Sequence, residues 1–318
     1  MQRRDLLRQA SLLAGGLSLP SLIKANSTSS ASTFAEALVT PPKKILRIAH
    51  ITDVHIQPLI GAANGFEKCL HHIQNQDIKP DFIINSGDCV MDAHRRKHDN
   101  VQKQWKLFNE VLKTENSLPI FHTVGNHDIC CEGDTGINFD DGKKWAMDEM
   151  GMDRRFYSFD KKDWHFVMLD SVQKKQDGSW YTANLDDEQK DWLNQDLKEV
   201  IDNKPIMVIS HIPILSACVF FDGNNMKEKE GRWEVPGSWM HTDAKQISEL
   251  FNHHKNVKLA VSGHIHLTDR VDYNGVSYCC NGAVSGRWWL GKYQHTEAGY
   301  AIIDLYDDGS FTNTYINY

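Results

Sequence analysis

The sequence lacks the dense lysine and arginine clusters that coat nucleic acid: its formal charge is −7 over 318 residues, and removing residues 1–25 would take it to −10. Broad, backbone-driven nucleic-acid binding needs a basic surface, so that class is excluded. Cysteine is also sparse. The seven cysteines, Cys69, Cys89, Cys130, Cys131, Cys218, Cys279 and Cys280, include two vicinal pairs but no CxxC at zinc spacing. Their odd, scattered count does not make a disulfide scaffold, and buried small hydrophobes are expected instead. No internal repeat is visible. What is present is ordinary for a folded chain, with 41 % apolar residues.

The opening 25 residues place a short basic stretch before an uncharged run from Ser11 to Ile23, broken by Gly15, Gly16 and Pro20, with Ala25 after it. A bilayer span needs about 20 apolar residues. An export signal over residues 1–25 is therefore expected rather than a membrane anchor. Arg3 and Arg4 followed by Asp5, Leu6 and Leu7 resemble the bacterial twin-arginine signal, which implies a periplasmic or secreted destination. Residues 26–42, with STSSAST and Pro41-Pro42, have linker composition. One folded domain is expected over residues 43–318.

Beyond Lys43, short apolar runs alternate with helical patterns, the arrangement of an α/β domain. Candidate strands are Ile45–Thr52, Asp81–Asn85, Ile120–Val124, His165–Leu169, Ile206–Ser210 and Lys258–Ser262. Asn100–Thr114 carries Val101, Trp105, Phe108, Val111 and Leu112 at helical spacing, and Leu185–Ile201 does the same with Trp192, Leu193, Leu197, Val200 and Ile201. Asp186 with Gln189 predicts a cap for the second helix. Turn dipeptides at Asn274-Gly275 and Asp308-Gly309 predict antiparallel hairpins in the C-terminal fifth. Residues 216–240 have no periodicity and are expected to form an inserted loop that serves as a substrate lid.

Five short motifs stand at the ends of the predicted strands. They are Asp53-Val54-His55, Gly87-Asp88, Gly125-Asn126-His127-Asp128, His211, and Gly263-His264-Ile265-His266. Loops at the carboxyl ends of strands in an α/β sheet face one crevice, so the motifs should converge, with Gly87, Gly125 and Gly263 permitting sharp turns and close approach. Asp53, His55, Asp88, Asn126, His211, His264 and His266 offer carboxylate, amide and imidazole donors without thiolate, a set for hard or borderline divalent ions. Seven side chains exceed what one ion with an open position needs, and suit two ions sharing a carboxylate. Asp53 and His55, two apart on an extended tip, should point to one side, and His264 with His266 likewise.

This ordered set resembles the calcineurin-like metallophosphoesterase superfamily over roughly residues 45–270. The resemblance implies a four-layer α/β/β/α sandwich with mixed sheets. It implies that Asp53, His55, Asp88 and His266 hold one metal and that Asp88, Asn126, His211 and His264 hold the other, with Asp88 as the bridge. Mn, Fe or Zn would serve, as divalent or mixed-valence ions. His127 matches a non-ligand histidine that contacts phosphate and protonates the leaving group. Asp128 is a candidate for orienting either His127 or a ligand imidazole. Such an ion pair acidifies water and clamps phosphate oxygens for in-line attack.

The expected activity is hydrolysis of a small phosphoester, preferentially a diester. An exported phosphomonoesterase or a cyclic nucleotide phosphodiesterase are the alternatives. The motif forms are similar to those of class III cyclic nucleotide phosphodiesterases. Met91 stands where purple acid phosphatases carry a metal-binding tyrosine, so a tyrosinate-iron site is not expected. A non-catalytic binding protein would show lost ligands, and all seven are present with His127. His94 and His98 could face the crevice or belong to a solvated loop. Arg287, Trp288, Trp289 and Tyr293 could stack on a substrate base or pack the last hairpin onto the sandwich.

Overall fold

The apolar runs become strands of two sheets. The computed structural model describes residues 40–59, 61–130, 136–177, 180–201, 203–222, 231 and 233–318. The expected export signal, linker residues 26–39, Cys131, and residues 223–230 and 232 of the expected lid lie outside the described residues. Pro42–Tyr318 form one compact unit. In chain order the elements are β1 (Lys44–Ile51), α1 (Ala62–Gln74), β2 (Phe82–Asn85), α2 (His98–Glu115), β3 (Ile120–His122), α3 (Phe139–Glu149), β4 (Tyr157–Lys161), β5 (Trp164–Met168), β6 (Val172–Lys174), β7 (Tyr181–Ala183), α4 (Asp187–Glu199), β8 (Ile206–Ile209), α5 (Ala244–His253), β9 (Val257–Ser262), β10 (Asp269–Tyr273), β11 (Val276–Cys280), β12 (Gly299–Tyr306) and β13 (Phe311–Asn317).

While β6 and β7 form a separate antiparallel pair, one large sheet has the order β13-β12-β1-β2-β3 and the other β10-β11-β9-β8-β5-β4. Their facing sides bury Leu46, Ile48, Phe82 and Ile84 against Trp164, Phe166, Met207, Leu259 and Val261. The outer side of the first sheet packs on Phe66 and Leu70 of α1 and on Trp105 and Phe108 of α2. The outer side of the second packs on Leu193 and Leu197 of α4 and on Ile247 and Phe251 of α5. Helix, sheet, sheet and helix thus make the four expected layers, and β2, β5, β8 and β11 are buried along their whole length because both of their sides are covered.

The predicted cap of α4 forms, with Asp186 Oδ1 accepting from Gln189 N at 3.0 Å. The helix ends earlier than its apolar stripe suggests, because Val200 is extended and Ile201 is exposed. The two hairpins at Asn274-Gly275 and Asp308-Gly309 are present as β10–β11 and β12–β13. The C-terminal region is nevertheless not wholly antiparallel, since β11 runs parallel to β9. No helix of the described residues is long and apolar enough to cross a membrane.

At the amino-terminal end of β5, His165 places Nδ1 2.8 Å from Asp160 and Nε2 2.9 Å from Asp196. Burial opposes its charge, but the two carboxylates overcome burial and raise its pKa above 6.5. A raised folded-state pKa contributes stability that is complete below the unfolded value and lost as pH rises through the folded one. His165→Gln is expected to cost about 1–2 kcal/mol at mildly acidic pH and clearly less at alkaline pH. Urea unfolding at both pH values checks this, and an equal cost at both would refute it.

Candidate metal centre

β1, β2 and β3 are mutually parallel, as are β5, β8, β9 and β11, so the loops after them open at strand carboxyl ends. Asp53 and His55 follow β1, Asp88 follows β2, Asn126 follows β3, His211 follows β8, and His264 and His266 follow β9. The structure brings all seven together. Ligand atoms of Asp53, His55 and His266 lie within 4.8 Å of one another, and those of Asp88, His211 and His264 do likewise. Asn126 joins the second group, its Oδ1 being 3.0 Å from His211 Nε2. Asp88 stands between the groups, with Oδ2 3.6 Å from His55 Nε2 and 3.3 Å from His211 Nε2.

The extended-tip expectation is corrected by the backbone. Asp53, His55, Asp88, His264 and His266 have φ of 55°, 47°, 54°, 71° and 59°. The side chains therefore converge through left-handed turns, not through strand alternation, and each such residue costs roughly 1–3 kcal/mol of strain. The loops interlock tightly enough to impose this. A Cβ on Gly125 would lie 2.2 Å from Asp88 N, and one on Gly263 would lie 1.9 Å from Thr52 Oγ1 and 2.4 Å from Asp53 Oδ2.

Each imidazole is fixed through its other nitrogen. His211 Nδ1 lies 2.9 Å from Ser86 O, His266 Nδ1 2.6 Å from Gly286 O, and His55 Nδ1 3.4 Å from Met91 O. A carbonyl only accepts, so these nitrogens carry a hydrogen, and in the neutral ring Nε2 is the lone pair that faces the centre. His264 is reversed: Nε2 donates to Ser238 O at 2.9 Å, turning Nδ1 inward. The lone pairs face one another, with His55 Nε2 and His266 Nε2 only 3.1 Å apart. Asp53 Oδ1 is buried with no hydrogen-bond partner. Facing lone pairs and an orphaned carboxylate oxygen are what a cation would satisfy, so the donor set fits a pair of divalent ions.

Charge points the same way. Burial opposes ionisation of Asp53 and Asp88, yet His266 and His55 hold the first, and His211 and His127 the second, below the usual carboxylate range. Burial lowers His55, and burial with neighbouring His211 brings His264 to about 3. Burial also opposes charge on His211, but Asp88 pushes it up to about 9. The proton on His211 is one that an incoming cation would displace.

Asp128 neither orients His127 nor holds an imidazole. Its Oδ2 accepts from Asp88 N and Gly125 N, both at 2.9 Å, and its Oδ1 from Cys89 N at 2.7 Å and Val90 N at 3.2 Å. Four backbone donors on one carboxylate staple the Asp88 loop to the Gly125 turn. The neighbour of His127 is Asp92, 3.8 Å from Nδ1, too long for a hydrogen bond but close enough to act as a charge. Burial opposes charge on His127, while Asp88 and Asp92 raise its pKa. Nothing in the spacing marks Asp92, which only follows Asp88 by four residues.

Aromatic side chains wall the centre on two sides. Trp180 stacks on His94 at 4.1 Å and meets His127 edge-on at 5.8 Å. Trp288 lies 4.9 Å from the His266 ring and 5.7 Å from Tyr293. The parallel course of β11 brings this second wall to the site, and Trp289 Nε1 donates to His55 O at 3.1 Å. His98 stacks on Trp145 instead.

Residues 46–267 match the family model for calcineurin-like phosphoesterase. A 3',5'-cyclic-nucleotide phosphodiesterase of Nostoc sp. is 26 % identical over 284 residues, covering 84 % of this chain and 90 % of its own. A 3',5'-cyclic adenosine monophosphate phosphodiesterase of Escherichia coli K12 is 21 % identical over 250 residues, 76 % of this chain and 78 % of its own. A dimetal phosphatase from Danio rerio superposes with a TM-score of 0.62 at 14 % identity, over 86 % of this chain and 96 % of that one, a likeness of fold.

Proposed function

The chain belongs to the calcineurin-like phosphoesterases, metal-dependent hydrolases, and on that premise we propose that it cleaves phosphodiesters at a two-metal centre bridged by Asp88. The observation that carries this reading is the position of Asp88 Oδ2, 3.6 Å and 3.3 Å from imidazole nitrogens of two separate ligand groups. Asp53, His55 and His266 complete one ion's set, and Asn126, His211 and His264 the other's. Mn, Fe or Zn suits these oxygen and nitrogen donors. Two such ions supply Lewis acidity and lower the pKa of water.

The protein's own groups do the rest. Left-handed turns and carbonyl hydrogen bonds hold the donors in place before any substrate arrives. His127, its Nδ1 turned to Asp92, leaves Nε2 to give a proton to the departing alkoxide. The relatives named as phosphodiesterases favour a diester over a monoester. Trp180 on one side, and Trp288 with Tyr293 on the other, provide flat apolar surfaces for an aromatic substituent such as a nucleobase. The described part of residues 216–240 borders the same space. Ser238 O holds His264, and Asp222 bonds the Tyr293 hydroxyl, which supports a substrate-lining role for this segment.

A manganese-reconstituted enzyme assayed on bis-p-nitrophenyl phosphate, p-nitrophenyl phosphate and cyclic nucleotides tests the substrate class. Higher kcat/KM on the diester than on the monoester is expected, and the reverse order would establish a phosphomonoesterase. Cyclic nucleotide turnover far above the simple diester would make the aromatic walls a base site. Export through the Arg3-Arg4 signal is proposed as well. Cytoplasmic protein still beginning at Met1 after cell fractionation would refute it.

A further inference from the structure

Behind Gly263 a second cluster of thiol and carboxylate side chains is packed into apolar surroundings. The ligand-type atoms of Cys218, Asp269 and Cys280 lie within 4.8 Å of one another. Cys218 begins the 3-10 turn Cys218–Phe220, at the start of the 216–240 segment, and Cys280 ends β11. Both are buried with Val219, Ile265 and Leu267 in one small cluster. Strand alternation sends Cys279 into the core between the sheets and Cys280 to this side, so of that vicinal pair only Cys280 faces Cys218.

Asp269 sets the spacing of the two chain segments. Its Oδ2 accepts from Cys218 N at 2.7 Å, Ala217 N at 2.6 Å and Ser216 Oγ at 2.9 Å, while its Oδ1 faces Cys280 N at 3.4 Å. One carboxylate thus holds the backbones of both cysteines. The Cys280 thiol donates to Gly263 O at 3.2 Å, beside the loop that carries His264, and the Cys218 sulfur lies within 4.8 Å of it. The same bonds disfavour a cation here. A metal would have to displace the N–H and O–H donors from Asp269, and two thiolates alone do not complete a zinc set.

We propose that Cys218 and Cys280 form a redox pair that closes to a disulfide under oxidising conditions, tying the first turn of the 216–240 segment to β11 beside Gly263. The oxidant is a soluble disulfide such as oxidised glutathione. Cys218, 7 % exposed against 1 % for Cys280, attacks first as thiolate on one sulfur of the oxidant and releases one thiol. Cys280 then gives up its proton and attacks the Cys218 sulfur, releasing the second thiol. Two electrons and two protons pass from the cysteine pair to the oxidant, and one S–S bond replaces another. Neither step involves the metal centre, so the pair and the hydrolytic reading stand or fall separately.

The test uses the full, metal-loaded chain, incubated with oxidised or reduced glutathione, blocked with N-ethylmaleimide, unfolded and digested without reductant. The oxidised sample should yield a linked peptide joining Cys218 to Cys280, with an intact mass before alkylation lower by about 2 Da and a raised unfolding midpoint. Cys218→Ala should remove the linked peptide, and Cys69→Ala should leave it. Full alkylation of both thiols after oxidation and unfolding would overturn the proposal. So would a bond from Cys218 to any other cysteine, a lone glutathione adduct on Cys218, or thiols protected by retained zinc with no loss of mass.

Discussion

An Asp88→Ala enzyme is expected to bind less than one equivalent of manganese where the unaltered enzyme binds about two, and to lose at least about a thousand-fold in kcat/KM. The reason is positional. Asp88 Oδ2 is the carboxylate oxygen set between His55 and His211, while Oδ1 accepts from His127 N at 2.8 Å. Without that carboxylate, two cations face each other with no shared anion, and Asp53 alone cannot neutralise both. The turn itself should survive, because the backbone N–H at position 88 still bonds Asp128. Unchanged circular dichroism would confirm a folded variant, and elemental analysis then decides. Two tightly bound equivalents would rule out the bridge. Two equivalents with activity abolished would move Asp88 from holding metals to performing chemistry.

His127→Ala should behave in the opposite way, keeping its metals and losing turnover selectively. The bond from position 127 to Asp88 comes from the backbone, so alanine preserves it and Asp88 stays in place. Only the imidazole is lost, a ring 4.8 Å from that of His55, 27 % exposed and therefore within reach of a ligand. Esters with alkoxide leaving groups need that proton, so kcat should fall by about 10²–10⁴. A p-nitrophenyl ester, whose leaving group departs unaided, should lose far less. Equal losses on both esters, or none on the alkyl ester, would remove the acid role from His127.

The α/β alternation and the convergence of seven donor side chains were legible in the sequence because both follow from strong local signals, whereas the four layers came from the family resemblance. Doubly covered strands produce continuous apolar runs, and Asp53, Asp88, Asn126, His211 and His264 each sit directly after one. Other features depend on distant segments and leave no local mark. The left-handed backbone at Asp53, His55, Asp88, His264 and His266 comes from loops interlocking, as between Gly263 and Thr52, and non-glycine residues do not announce such angles. The work of Asp128 was invisible for the same reason, since it is done on backbone N–H groups of the Asp88 loop. Whether Trp288 and Tyr293 face the site or pack the last hairpin stayed open in the sequence, because turn dipeptides report hairpins but not that β11 would join β9 in parallel. Asp92 and Trp180 became part of the site only through packing around His127.

The central claim is that one carboxylate joins two ion sites, and a crystal structure of the manganese-loaded protein with an anomalous difference map tests it most directly. Two peaks are predicted, one among Asp53, His55 and His266 and one among Asn126, His211 and His264, with Asp88 between them. A single peak, or two peaks of which only one touches Asp88, would contradict it.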